Sequence, residues 1–217
     1  MATELLEEIV YSSIKSIVEQ YSKELSEQMR LRTEEMKFDN HDHYLIYEVL
    51  GIPYDEGDKI DYYQNMGRFL YKYAGSFLEE ATICCFKWAF PNAKPKEKIP
   101  NTLGQKPKTF EIDLLVNGKA HEIKWRDATT DGDHITKEHT RVKVIQSHGY
   151  VPIRIMFYYP NREQAIRIQD TLKTLYEGVG GIYYSGDDAW DYVKNETGFD
   201  LKAMLMRIVE ESKNGSN

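Results

Sequence analysis

Two residues, Asn117-Gly118, separate two segments in which apolar and polar side chains alternate, Phe110 to Val116 and Lys119 to Arg126. Asn-Gly readily takes up the positive φ angles of the tightest hairpin turn, whose twist matches that of the strands it joins. A two-residue turn also leaves no freedom of register. Val116 then faces Lys119, Asp113 faces Glu122 and Glu111 faces Lys124. Directly opposed residues share a face, with Cβ atoms ~5 Å apart. One face is therefore predicted to carry Glu111, Asp113, Glu122, Lys124 and Arg126, and the core face Phe110, Ile112, Leu114, Val116, Ile123 and Trp125.

Two ionised carboxylates set opposite one another repel, so the register of Asp113 and Glu122 calls for a cation between them or a raised pKa. Carboxylate oxygens with little imidazole or thiolate nearby suit a hard ion such as Mg²⁺, which keeps several waters and bridges readily to phosphate. Lys124 follows Glu122 on the same face, where an ammonium could hold or polarise a bound water. The plainer alternative is an exposed salt-bridge ladder from Glu111 to Lys124, with Asp113 incidental.

Elsewhere the chain reads mostly as helix. The first sixty residues have apolar positions three or four apart, forming one long helix or two, with a short helix at Tyr44 to Leu50 ended by Gly51 and Pro53. Met66 to Phe90 is helical and stopped by Pro91. A loop rich in lysine and proline, Asn92 to Lys108, leads into the hairpin. After it come a helix from Ile135 to His148, a buried strand from Val151 to Tyr159, a helix from Arg162 to Tyr176 closed by glycines, then a short strand and two helices. The expected divisions are a helical extension (1–60), a core (61–180) and a C-terminal helical extension (181–217), together one compact domain.

With 217 residues and a net charge of −7, the protein is not a generically basic nucleic-acid binder. The charge is uneven, however: residues 1–60, 61–162 and 163–217 carry net charges of −8, +5 and −4. The basic middle contains the hairpin, as a phosphate-facing groove would require. Mean hydropathy is −0.60, no apolar run approaches the ~18 residues of a membrane span, and the acidic start is unlike a targeting peptide. A cytoplasmic protein without membrane partners is expected, and the adjacent Cys84 and Cys85 read as reduced core residues rather than a disulfide or zinc site.

Asp113, eight residues, then Glu122-Ile123-Lys124 resembles the PD-(D/E)xK nuclease signature without its leading proline. The resemblance covers residues 66–160 and implies an α/β fold: a mixed central sheet with an αβββαβ restriction-endonuclease-like core, residues 94–99 supplying its first strand, plus N- and C-terminal helices. It implies a phosphodiester hydrolase in which Asp113, Glu122 and the carbonyl of Ile123 hold Mg²⁺ and Lys124 assists the attacking water. Many members add a glutamate from the first helix, here Glu79, four residues after Gly75, or Glu80, on the flank of Phe77 and Cys84. The stretch Trp125-Arg126-Asp127 through Thr140-Arg141 is similar to the ApaLI-like type II restriction endonucleases. That similarity implies palindromic double-stranded DNA, with GTGCAC as a candidate site, a homodimer and a cognate DNA methyltransferase.

DNA contacts are expected from Arg126, His134, Lys137 and Arg141, the last two sharing a helical face. Lys94, Lys96, Lys98, Lys106 and Lys108 are candidates for a phosphate clamp. Asp127, Asp131 and Asp133 lack the order of a calcium loop and read as helix caps, Asp133 as the N-cap. His121 falls on the opposite face from the acids and reads as structural. Two rivals remain: a structure-selective nuclease with the same core, of the junction-resolvase or repair type, and a non-catalytic DNA-binding or dimeric interaction module whose acids form only salt bridges.

Overall fold

The computed structural model describes residues 2–104, 106–126 and 132–215. Three helices come first, α1 (Ala2–Met36), α2 (Tyr44–Val49) and α3 (Tyr54–Ala89). Strands β1 (Lys94–Pro100), β2 (Thr109–Val116) and β3 (Lys119–Arg126) follow, then α4 (Gly132–Ser147), β4 (Val151–Tyr158), α5 (Glu163–Gly178), β5 (Ile182–Ser185), α6 (Asp187–Thr197) and α7 (Leu201–Asn214). The chain is a mixed α/β protein with the expected αβββαβ order. Among the described residues, no helix is long and apolar enough to cross a membrane.

The strands form one sheet in the order β1-β2-β3-β4-β5, antiparallel across the first three and parallel thereafter. The hairpin has the register fixed by its turn: Val116 pairs with Lys119 and Leu114 with His121. Asn117 and Gly118 have φ of 51° and 75°, the left-handed conformation that Asn and Gly tolerate best. Lysines and two prolines on β1 blunt one sheet edge, and β5, only four residues long, forms the other.

Alternation along the strands sorts side chains onto the two faces. Met156 of β4 joins Val142 of α4 with Ile168, Leu172 and Tyr176 of α5. Its neighbour Phe157 packs instead on Trp190 of α6, ring centroids 4.3 Å apart. His121 of β3 lies against Phe86 of α3 and Tyr192 of α6. Gly181 precedes β5 where a Cβ would come within 2.5 Å of the Pro152 carbonyl oxygen, so the α5–β5 corner requires glycine.

The chain divides into two compact units, residues 16–77 and the remainder. In the larger, the start of α1 packs on α7, with Arg207 over the Tyr11 ring at 3.9 Å and bonded to Glu8. The smaller holds the rest of α1, α2 and most of α3, tied by Tyr21 against Tyr73 and Phe77. Arg32 reaches Asp39 and Asn65 there, and Asp61 accepts from Tyr47 at 2.8 Å.

Several expectations need correction. α3 begins at Tyr54 rather than Met66, because its first turns are mostly polar and lack the apolar stripe that marks a helix in sequence. Lys94, Lys96 and Lys98 lie on a strand, as the resemblance implied for residues 94–99, and not in the loop that composition suggested. Phe110 and Ile112 do not pack on the face opposite the acids: they join Leu115, Ala120, Val144 and Ile145 in one cluster. The alternation of β2 therefore shifts at Asp113-Leu114, where regular pairing with β3 also ends.

Candidate active site

Beyond the Leu114–His121 pair, the backbone ladder gives way to a side chain. The Asp113 carboxylate accepts the Ile123 N–H at 2.8 Å through Oδ2. The pull of that peptide group anchors Asp113 in the interstrand gap, where it is 8% exposed. Glu122 is 5% exposed. Lys124 Nζ lies 2.7 Å from Glu122 Oε1, 3.4 Å from Asp113 Oδ2 and 3.1 Å from the Ile123 carbonyl oxygen. One ammonium thus touches both acids.

Further charged and polar side chains complete the cluster. From α3, Glu79 bonds Lys96. Lys96 Nζ also lies 3.8 Å from Asp113 Oδ1 and 3.9 Å from Glu111. From α4, Arg141 bonds Glu122 and lies 3.8 Å from Glu138. Glu138 accepts from Arg154 of β4 at 3.3 Å and from the Tyr176 hydroxyl at 2.6 Å. Alternating carboxylates and cations thus run from Glu111 on β2 to Arg154 in the interior.

The two acids of the hairpin respond oppositely to this environment. Burial, followed by the charges of Glu122 and Glu79, raises the Asp113 pKa against the pull of Lys124. Burial alone would raise that of Glu122 too, but Lys124, Arg141 and Arg154 together hold it low. Burial disfavours the charge of Lys124, yet Glu122 and Asp113 raise its pKa, so it remains an ammonium. The site is a charge-compensated set in which Asp113 is the less satisfied acid.

A family model described as ApaLI-like restriction endonuclease matches residues 5–210. The chain belongs to this family. As a restriction endonuclease it is a nuclease acting on DNA, and the mixed sheet with flanking helices is consistent with a restriction-endonuclease-like core. Comparisons with curated proteins and with solved structures returned no match.

Within this restriction endonuclease the residues singled out from sequence fall into three groups. Asp113, Glu122, the Ile123 carbonyl, Lys124 and Glu79 converge with Arg141. Glu80, one residue along α3, is exposed, and its charge bears on Cys84. Arg126 lies over the Trp125 ring at 5.6 Å and is exposed, as is Lys137. The side chains of His134, Asp127, Asp131 and Asp133 lie outside the described residues. The alternative of a Glu111–Lys124 ladder gives way to other pairings: Glu111 goes to Lys96 and Lys98, and Lys124 to Glu122 and Asp113.

Sequence reasoning missed the role of Glu138, Arg154 and Tyr176 beside the site. Arg154 interrupts an apolar strand, and an arginine inside such a run is the signal that could have found it, since buried guanidinium groups demand a carboxylate partner. His121 is structural, as expected: its ring bonds the Leu114 carbonyl at 3.1 Å and Tyr192 Oη at 2.8 Å.

Proposed function

We propose that this protein is a Mg²⁺-dependent type II restriction endonuclease that hydrolyses phosphodiester bonds at a short palindromic site in double-stranded DNA. The reading rests above all on one observation: Lys124 contacts both Asp113 and Glu122, at the end of the hairpin where regular pairing stops. Asp113, Glu122, Glu79 and the Ile123 carbonyl offer only oxygen donors, the set that suits Mg²⁺. Asp113 and Glu122, with the Ile123 carbonyl, would hold the ion, and Glu79 is the helix glutamate nearest to them. Bound there, the ion would stabilise charge developing on the phosphate and lower the pKa of a bound water.

The remaining work belongs to the chain's own groups. Hydrolysis adds a water oxygen to phosphorus and breaks the bond to the leaving sugar oxygen; the proton lost by the water passes to solvent, and solvent returns one to the leaving oxygen. Lys124, held as an ammonium by its carboxylate neighbours, orients the attacking water and offsets negative charge near it. Arg141 and Arg154 keep Glu122 ionised and therefore able to act as a ligand. Arg126, His134 and Lys137 are the proposed DNA contacts. Arg141 is occupied by Glu122, so its proposed contact with DNA would have to coexist with that pair or follow its opening.

A palindromic duplex presents two equivalent strands, which favours a symmetric homodimer. A DNA methyltransferase with the same site specificity would protect the host DNA. The test is incubation with a plasmid carrying every hexanucleotide, GTGCAC included, in Mg²⁺ or in chelator. Discrete fragments only with Mg²⁺ are expected, and their loss in Asp113→Ala, Glu122→Ala and Lys124→Ala proteins that retain their circular dichroism. Full cleavage by any folded single variant would overturn that residue's role. Cleavage of branched but not linear duplex would assign the enzyme to structure-selective nucleases.

A further inference from the structure

We propose that Lys96 is a built-in counter-ion that stands in for the divalent ion at this site, and that metal binding must expel its ammonium group. The inference rests on the metal-site reading above and adds a residue that competes with the ion.

The position of Lys96 follows from strand register. Pro95 pairs with Leu114 and Glu97 with Ile112, so the two residues between those pairs, Lys96 and Asp113, come opposite each other on β1 and β2. Both strands are irregular there. Lys96 has φ of 55° within an otherwise extended strand, a conformation that disfavours any residue with a Cβ by ~1 kcal/mol or more. An unbranched lysine has no local reason to adopt it. The irregularity directs the side chain to three carboxylates at once: it bonds Glu79 and lies within 4 Å of both Asp113 and Glu111. Two of these are acids proposed to serve the metal.

The electrostatics agree with such a placement. Partial burial disfavours the Lys96 charge, but Glu79, Asp113 and Glu111 outweigh it and raise the pKa. The ammonium is therefore fully charged at neutral pH. Asp113 is left between two ammonium groups, Oδ1 toward Lys96 and Oδ2 toward Lys124. Among the described residues, no three His, Cys, Asp or Glu side chains converge in a way that could hold a metal ion as they stand. Coordination by Asp113 and Glu79 requires the ammonium between them to leave, since two cations cannot share those oxygens without repulsion. An ammonium half exposed at a sheet edge, with 50% of its side chain open to solvent, can leave at little desolvation cost.

The experiment is calorimetric titration of the full-length protein with Ca²⁺ alone, without DNA, so that the readout is affinity rather than cleavage. Wild type, Lys96→Met, Lys96→Arg and Asp113→Asn are compared, with thermal melting in EDTA alongside. Lys96→Met is expected to bind Ca²⁺ roughly tenfold or more tightly than wild type, while melting lower in EDTA because Glu79 and Asp113 lose their partner. Lys96→Arg restores a cation and should return affinity and melting toward wild type. Lys96→Gln, which keeps a hydrogen-bond donor for Glu79, is read in the same way should Lys96→Met not fold. Asp113-dependent binding that is equal or weaker in Lys96→Met than in wild type overturns the competition. Absence of Asp113-dependent binding in both wild type and Lys96→Met overturns the metal-site reading, and this role of Lys96 with it.

Discussion

Asp113 and Glu122 share Lys124 as a partner yet are pushed in opposite directions, and the difference gives each a distinct pH signature. A carboxyl whose folded pKa is raised opposes folding when ionised; that penalty is complete above the folded pKa and vanishes as the pH falls to the unfolded value. For Asp113, raised by burial and then by Glu122, the penalty is therefore present at pH 8. Asp113→Asn keeps an oxygen to accept the Ile123 N–H and removes the charge. It should raise the melting temperature in EDTA at pH 8 by about 2–4 °C, the shift that ~1 kcal/mol gives in a chain of this size, and by less at pH 5. A fall at pH 8 would mean that the charge of Asp113 supports the fold. His121 works in the other sense. Burial depresses its pKa from 6.5 to about 4, so the stability of the neutral ring is present above the unfolded value and is lost as pH falls through the interval between them. The loss amounts to about 3 kcal/mol between pH 7 and pH 4. His121→Gln retains a donor for Leu114 and an acceptor for Tyr192 but cannot titrate, and denaturant melts should show a correspondingly flatter acid limb.

At the level of elements, α4 and α5 meet β4 through a buried polar triad. Arg154 and Glu138 are each 2% exposed and the Tyr176 hydroxyl donates into the pair. Such a pair adds little over apolar packing, but breaking it leaves a buried charge without a counter-charge. Glu138→Gln should thus cost about 3–5 kcal/mol in denaturant unfolding. Adding Arg154→Met should recover at least half of that, and no recovery would show that Arg154 finds compensation elsewhere. This triad also marks where sequence reasoning reaches its limit. The β2–β3 hairpin was legible because a two-residue turn fixes register by local geometry, but that register holds only from Val116–Lys119 to Leu114–His121, and Asp113 meets Lys124 beyond it through a side chain that takes the Ile123 N–H. Glu79 could not be separated from Glu80, because a helix rotates 100° per residue and only the tertiary placement of α3, which brings Glu79 to Lys96 of β1, decides which one faces the acids. Lys96 reads in sequence only as one of five candidates for a phosphate clamp, and its role depends on a backbone irregularity that no local motif signals. The first turns of α3, dominated by Asp, Glu and Lys, carry no periodic stripe to read. The shift in alternation at Asp113-Leu114 is a consequence of the carboxylate taking a backbone N–H, which side-chain pattern alone does not encode.

At the scale of the whole molecule, a chain with net charge −7 must approach a polyanion. Long-range repulsion then works against encounter, and a further cost falls on any phosphate brought near Glu79, Asp113 and Glu122. The internal cations Lys96, Lys124 and Arg141 reduce that cost but are already paired with those acids. DNA affinity should consequently depend on added divalent ions even when no bond is cut. With Ca²⁺ in place of Mg²⁺, and a duplex taken from a fragment that the enzyme cleaves, fluorescence anisotropy at fixed ionic strength should show binding tighter by roughly tenfold or more than in EDTA. Asp113→Asn removes one acid from the place where phosphate and ion would meet. It should bind the same duplex more tightly than wild type in EDTA and gain less from Ca²⁺. The two curves converging in this way would tie the ion requirement to the hairpin acids rather than to general screening, which would act on both proteins alike. Equal affinity with and without Ca²⁺ for wild type would instead mean that the positive middle of the sequence, net +5 over residues 61–162, already overcomes the repulsion by itself.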